Sequence, residues 1–165
     1  MGREIRRVPK GWEHPKKRDG SYQPMRDRVY AERAQEWLDK CKQWDDGTHP
    51  SLADQPELKA EYPFFWEWEG DPPDHDYYRD AWTEEPTCYQ MYEDVSEGTP
   101  VTPVFETEDE LVDYLVNVGT FWNQKYSREA AEAFVKTGWA PSFVMLRAES
   151  GAMKFADGVT AAGWE

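Results

Sequence analysis

Residues 87–119 read TCYQMYEDVSEGTPVTPVFETEDELVDYLVNVG, and the period of this stretch changes halfway. From Thr87 to Asp94, Cys88, Gln90 and Tyr92 alternate with Tyr89 and Met91, which predicts a strand. Gly98, Pro100 and Pro103 then limit Val101–Phe105 to an edge strand or a loop. At Thr107 a helix begins. Its hydroxyl can accept the backbone N–H of Glu110, whose side chain can reach back, and Glu108, Asp109 and Glu110 suit the positive end of a helix dipole. Leu111, Val112, Leu115 and Val116 form one apolar face, and Gly119 ends the helix. Short strands and helices mixed along the chain, with no internal repeat, predict an α+β fold.

The rest of the chain fits that class. Residues 26–44 predict the longest helix, with Tyr30, Ala34, Trp37, Leu38, Cys41 and Trp44 on one stripe and Glu36 paired with Lys40. Asp45, Asp46 and Gly47 stop it. Phe64–Glu69 alternates and predicts a short strand, and Asp74 caps a short helix through Trp82. Ser127 starts another helix, Ala130, Ala131, Phe134 and Val135 face inward, and Gly138 closes it. Residues 143–148 and 152–156 predict a hairpin turning at Glu149-Ser150-Gly151. The expected organisation is a basic extended arm over 1–25, a single α+β domain over 26–158, and a C-terminal tail over 159–165. The domain is a small mixed sheet of short strands packed with three or four helices.

Charge is distributed unevenly. The chain has 165 residues and a net charge of −14. Residues 1–43 hold 12 Lys/Arg against 7 Asp/Glu, residues 44–113 hold 2 against 21, and residues 114–165 hold 5 of each. A block so one-sided repels phosphate and anionic membrane and attracts cations or basic partners. Within it, Tyr62–Pro86 interleaves eight aromatic residues with eight carboxylates and one arginine. One reading puts Phe64, Trp66, Trp68, Tyr78 and Trp82 in a core with the acids on the wet side. The other makes the acids a presented array with ring anchors, in which carboxylates take the place of phosphates and rings the place of stacked bases. On that reading Glu67, Glu69, Asp71, Asp74, Asp76, Asp80, Glu84 and Glu85, with Trp68 and Tyr77, carry the interaction, and arginines of the partner are the preferred mates.

Other chemistries are weakly represented. His14, His49 and His75 are far apart, and Asp71, Asp74 and Asp76 lack the order and late Glu of a calcium loop, so no metal or cofactor is expected. There is no GxSxG, HExxH or glycine-rich phosphate loop. His75 between Asp74 and Asp76 is the one oriented-base candidate. Arg3, Arg6, Arg7, Lys10, Lys16, Lys17 and Arg18 suit nucleic acid, but in a chain with so acidic a middle they are expected to fold over part of it, leaving the remaining acids to act outward. Cys41 and Cys88 lack CxxC spacing, which suits reduced thiols. No apolar run approaches a membrane span, no apolar stretch follows the start, and Arg6 stands where myristoylation needs Ser or Thr, so a cytoplasmic protein is expected.

The stretches GREIRRVPKGWEHP (2–15), GDPPDHDYYRDAWTEEPTCYQMYEDVSEGTPVTPVFETEDELV (70–112) and SREAAEAFVKTGWAPS (127–142) resemble a family of small phage and prophage proteins. That resemblance implies expression from a mobile element inside a bacterium and carries no residue role. Three functions are open at this level. The first is a non-enzymatic accessory protein that covers the basic nucleic-acid-binding surface of a host nuclease or CRISPR effector without binding nucleic acid itself. The second is an enzyme or small-molecule binder with an aromatic-lined acidic pocket. The third is a virion assembly part.

Overall fold

The computed structural model describes residues 2–96, 98–147 and 153–162. In chain order the strands and helices are β1 (Gly2–Val8), β2 (Arg26–Val29), α1 (Tyr30–Asp45), α2 (Pro50–Asp54), α3 (Leu58–Glu61), α4 (Phe65–Glu69), β3 (Tyr78–Arg79), β4 (Cys88–Glu93), β5 (Thr99–Pro100), α5 (Glu108–Asn117), α6 (Arg128–Thr137), β6 (Trp139–Pro141), β7 (Phe143–Arg147), β8 (Met153–Asp157) and α7 (Gly158–Ala162). The class is α+β, as expected. The chain divides into two compact units: Met1–Met25 with Trp82–Glu165, and Arg26–Ala81.

In the first unit a four-stranded sheet has the order β5-β4-β1-β6. β1 pairs antiparallel with β4 from Arg3 opposite Glu93 to Val8 opposite Cys88, and with β6 on its other side. The first residues of the expected arm are thus an interior strand. Their pattern hides this because Arg3 and Arg6 are themselves buried. The core gathers Met91 and Val101, Leu111, Val112 and Leu115 of α5, and Ala130, Ala131, Phe134 and Val135 of α6. Both helix starts are capped as expected: the Thr107 hydroxyl accepts the Glu110 N–H at 3.2 Å, the Glu110 carboxylate accepts the Thr107 N–H at 3.2 Å, and the Ser127 hydroxyl accepts the Ala130 N–H at 3.2 Å. Gly138 closes α6 at φ 76°, where a Cβ would be strained. β7 and β8 form the expected antiparallel pair; its turn lies outside the described residues. Where a tail was expected, α7 forms and buries Val159 completely in the core, because Asp157 accepts the N–H groups of Val159 and Thr160.

The second unit is held by rings. Trp44, Leu52, Leu58 and Phe65 are buried together, with Trp37, Cys41 and Tyr62 packed around them. The long helix starts at Tyr30 rather than 26, since Arg26–Val29 extends to pair in parallel with Tyr78–Arg79, and Asp27 meets Arg79 at 3.2 Å. Leu38 of the expected stripe is exposed. Glu36 pairs with Arg28 and Arg33 instead of Lys40, which meets Glu69 at 3.8 Å. Phe64–Glu69 is helical rather than a strand. The Glu67 carboxylate accepts the Phe64 N–H at 3.1 Å, which starts α4, and helical spacing points both Phe65 and Trp68 at Trp44. Strand alternation would have sent those two rings to opposite sides.

Candidate functional site

All eight acids proposed as contacts are exposed. Glu67, Glu69, Asp71, Asp74, Asp76 and Asp80 lie in the Arg26–Ala81 unit, and Glu84 and Glu85 in the other. The Arg26–Ala81 unit holds 7 Lys/Arg against 15 Asp/Glu. Short elements position these acids. α4 carries Glu67 and Glu69. Asp74 accepts the Asp76 N–H at 3.0 Å and starts the single 3₁₀ turn His75–Tyr77, which stops before the Trp82 expected of it. Glu69 meets Lys40 at 3.8 Å, and Asp80, almost fully exposed, meets His75 at 3.3 Å. The carboxylate on His75 is therefore Asp80, not its sequence neighbours Asp74 and Asp76. That ring also rests edge-on against Tyr30.

The aromatic residues divide differently from either reading. Tyr78 is core, and Trp68 stacks on Trp44 with centroids 6.0 Å apart and keeps one side outward. Tyr77 is exposed. Phe64 and Trp66, expected inside, are the most exposed rings of the unit at 55% and 50%, and lie nearly parallel with centroids 6.0 Å apart. Phe64 precedes α4 and Trp66 lies within it, and the inward face of that helix is already occupied by Phe65 and Trp68. Helical offset takes Trp66 off the face that Phe65 and Trp68 share, and Phe64 stands outside the helix with extended backbone at φ −113° and ψ 145°. The result is a stacked pair of apolar faces with Glu67 following Trp66 in sequence, on a unit of negative charge.

Several cations of the basic arm are engaged within the first unit. Arg3 pairs with Glu93 and Asp157, Arg6 with Glu4, and Lys10 with Glu106, while the Arg6 and Arg7 guanidinium groups cover the Tyr92 and Tyr89 rings at 4.1 Å. The expected neutralisation of the acidic block by the arm is thus seen at Glu93 and Glu106.

The first unit also has a cavity of about 560 Å³, walled by Trp12, His14, Tyr22, Gln90 and Thr102, with Glu13 as its single carboxylate. This is not the acidic pocket of the second expectation, since Glu13 lies outside the acidic block. His14 is buried there, with Nε2 2.6 Å from the Gln23 carbonyl and Nδ1 3.1 Å from the Tyr92 hydroxyl. Burial lowers its pKa below the usual histidine value, against the Gln23 hydrogen bond, and the Arg6 charge lowers it further. The unfolded chain therefore binds a proton at higher pH than the fold does. His14's contribution is complete above about pH 6.5 and is lost as the pH falls below it. Urea midpoints should drop between neutral pH and pH 5 in the wild type and drop less in His14→Gln; parallel curves would refute this role.

Among the described residues no three His, Cys, Asp or Glu side chains converge as metal ligands, and no helix is long and apolar enough to cross a membrane. No family model, curated protein or solved structure matches the chain.

Proposed function

We propose that the protein is a non-enzymatic binder of a basic protein surface, engaging it through the acids and rings of residues 64–80. The observation that carries this reading is the exposure of Phe64 and Trp66 beside Glu67 and Glu69 on a unit with twice as many acids as bases. Carboxylates crowded within a screening length of about 8 Å repel one another, and a cationic partner relieves that repulsion. Arginine suits both halves of the surface, because a guanidinium hydrogen-bonds carboxylates and stacks on ring faces. A surface of this kind competes with phosphate for the same arginines, so the partner class is a nucleic-acid-binding protein. With the resemblance to phage proteins, a host defence nuclease or CRISPR effector in a bacterial cytoplasm is the fitting partner.

The test is reversal of Glu67, Glu69, Asp74 and Asp76 to Lys, with binding to partners captured from bacterial lysate measured across salt concentrations. Affinity should fall by about a hundredfold or more, and the wild-type salt dependence should flatten. Unchanged affinity and salt slope would end the proposal. The cavity beside His14 favours a second reading, a small-molecule binder, which ligand-induced quenching of Trp12 fluorescence in the charge-reversed protein would reveal.

A further inference from the structure

The wall of the cavity in the first unit contains a hydrogen-bond shortage. His14 Nε2 lies 2.6 Å from the Gln23 carbonyl, which can only accept, so Nε2 carries a proton. Burial keeps the ring neutral at pH 7, which makes Nδ1 a bare acceptor. The Tyr92 hydroxyl lies 3.1 Å from that Nδ1 and 2.8 Å from Gln90 Oε1. Gln90 Nε2 donates to the Thr102 carbonyl at 2.9 Å, which fixes the amide so that Oε1 is a second acceptor. The hydroxyl has one proton to give, and its oxygen already accepts the Trp12 N–H at 3.2 Å. Within this cluster one of the two acceptors therefore lacks a donor. Both belong to side chains of the cavity wall, His14 at 6% and Gln90 at 5% exposed, where a missing donor costs most. The wall also carries one charge of each sign, Glu13 and Lys16, and among the described residues neither side chain makes an ion pair.

We propose that this cavity binds a saccharide ring, which rests on the small-molecule reading of the cavity and adds the class of ligand. A hydroxyl donates to the short acceptor, donates to Glu13 and accepts from Lys16, and a sugar carries several hydroxyls around one ring. Its C–H face packs on the aromatic surface that Trp12 and Tyr22 give the wall, because the faces of aromatic rings are negative. A ligand with net charge sets that charge against its like at Glu13 or Lys16. An apolar ligand leaves the buried acceptor short. The volume of about 560 Å³ lies within the roughly 300–1,000 Å³ of small-ligand sites.

Isothermal titration of the full chain with glucose, galactose, mannose, N-acetylglucosamine and their disaccharides tests this, with adenosine and uridine as separate arms. At least one saccharide should bind with a dissociation constant of about a millimolar or below. Binding should shift the His14 ring nitrogen signals in NMR spectra and leave those of His49 and His75, on the other unit, in place. Glu13→Ala removes no ion pair of the fold. It should weaken binding at least about tenfold, as loss of a hydrogen bond to a charged group does, with circular dichroism unchanged. Phe64→Glu, on the other unit, should leave binding intact. Binding of adenosine or uridine without any saccharide would overturn the saccharide assignment and keep the small-molecule reading. Binding in no arm would overturn both. Saccharide binding that survives Glu13→Ala, or that leaves the His14 signals unmoved, would put the ligand outside this cavity and overturn the inference.

Discussion

Arg3→Met should cost about 3–5 kcal/mol of stability, the scale seen when one partner of a buried ion pair is removed. Arg3 sits in the interior strand β1 and is 7% exposed. Its Nε donates to Glu93 at 2.7 Å, Nη1 to the Tyr126 hydroxyl at 2.7 Å and to Asp157, and Nη2 to Gln124 at 3.1 Å. Ser142 donates to the other Glu93 oxygen at 2.7 Å. One guanidinium thus joins β1, β4, the segment before α6 and the start of α7. Burial opposes its charge, but the Glu93 hydrogen bond and the Asp157 charge raise its pKa. The Tyr126 hydroxyl beside it is pushed well up by burial, so it stays a neutral acceptor for Nη1–H. A methionine fills the space and leaves the Glu93 carboxylate, 3% exposed, without its counter-ion. Adding Glu93→Gln to Arg3→Met should restore part of the loss, because the stranded charge is what costs most. Urea denaturation measures both. A loss below about 1 kcal/mol for Arg3→Met would show that the cluster is not a buried ion pair in solution.

Trp44→Ala should be comparably severe, at about 3–5 kcal/mol, and confined to the Arg26–Ala81 unit. Trp44 is fully buried, donates its indole N–H to the Tyr62 carbonyl at 3.0 Å, and packs on Phe65, Trp68 and His49. The unit's other buried cluster members are Leu52, Leu58 and Phe65, so little remains to hold α4 once the indole is gone. Hydrogen exchange should accelerate across residues 30–69 while α5 and α6 keep their protection. Binding to a basic partner should also fail, although no surface acid has changed, because Phe64, Trp66, Glu67 and Glu69 owe their placement to Phe65 and Trp68 docking on this ring. Retained binding with retained exchange protection would refute Trp44 as the organiser of the surface.

Local signals were legible in the residues wherever chain neighbours decide the outcome. Thr107 with Glu110, Ser127 with Gly138, and the alternation of Cys88–Glu93 each concern groups a few positions apart, and the elements formed there. Long-range pairing was not legible. β1 is disguised because Arg3 and Arg6 occupy inward positions, and the partners that satisfy them include Glu93, Tyr126, Asp157 and the Tyr92 ring, all distant in sequence. Phe64–Glu69 alternates like a strand, yet a strand needs a neighbour to accept its hydrogen bonds, and Trp44 offers a ring to dock on instead. The candidate surface shared this division. Its acids could be named from composition, since carboxylates with few local cations stay in water. Its ring anchors could not, since which rings are left outside depends on which ones the core has taken.

What the amino-acid order determined by itself was the α+β class, the two capped helices α5 and α6 and the acidic middle of the chain, because these follow from backbone hydrogen bonding between near neighbours and from the cost of burying charge. What tertiary structure alone decided was which cations were neutralised and which rings faced outward. The first depends on partners as far apart as Arg3 and Asp157, and the second on Trp44 meeting Phe65 and Trp68.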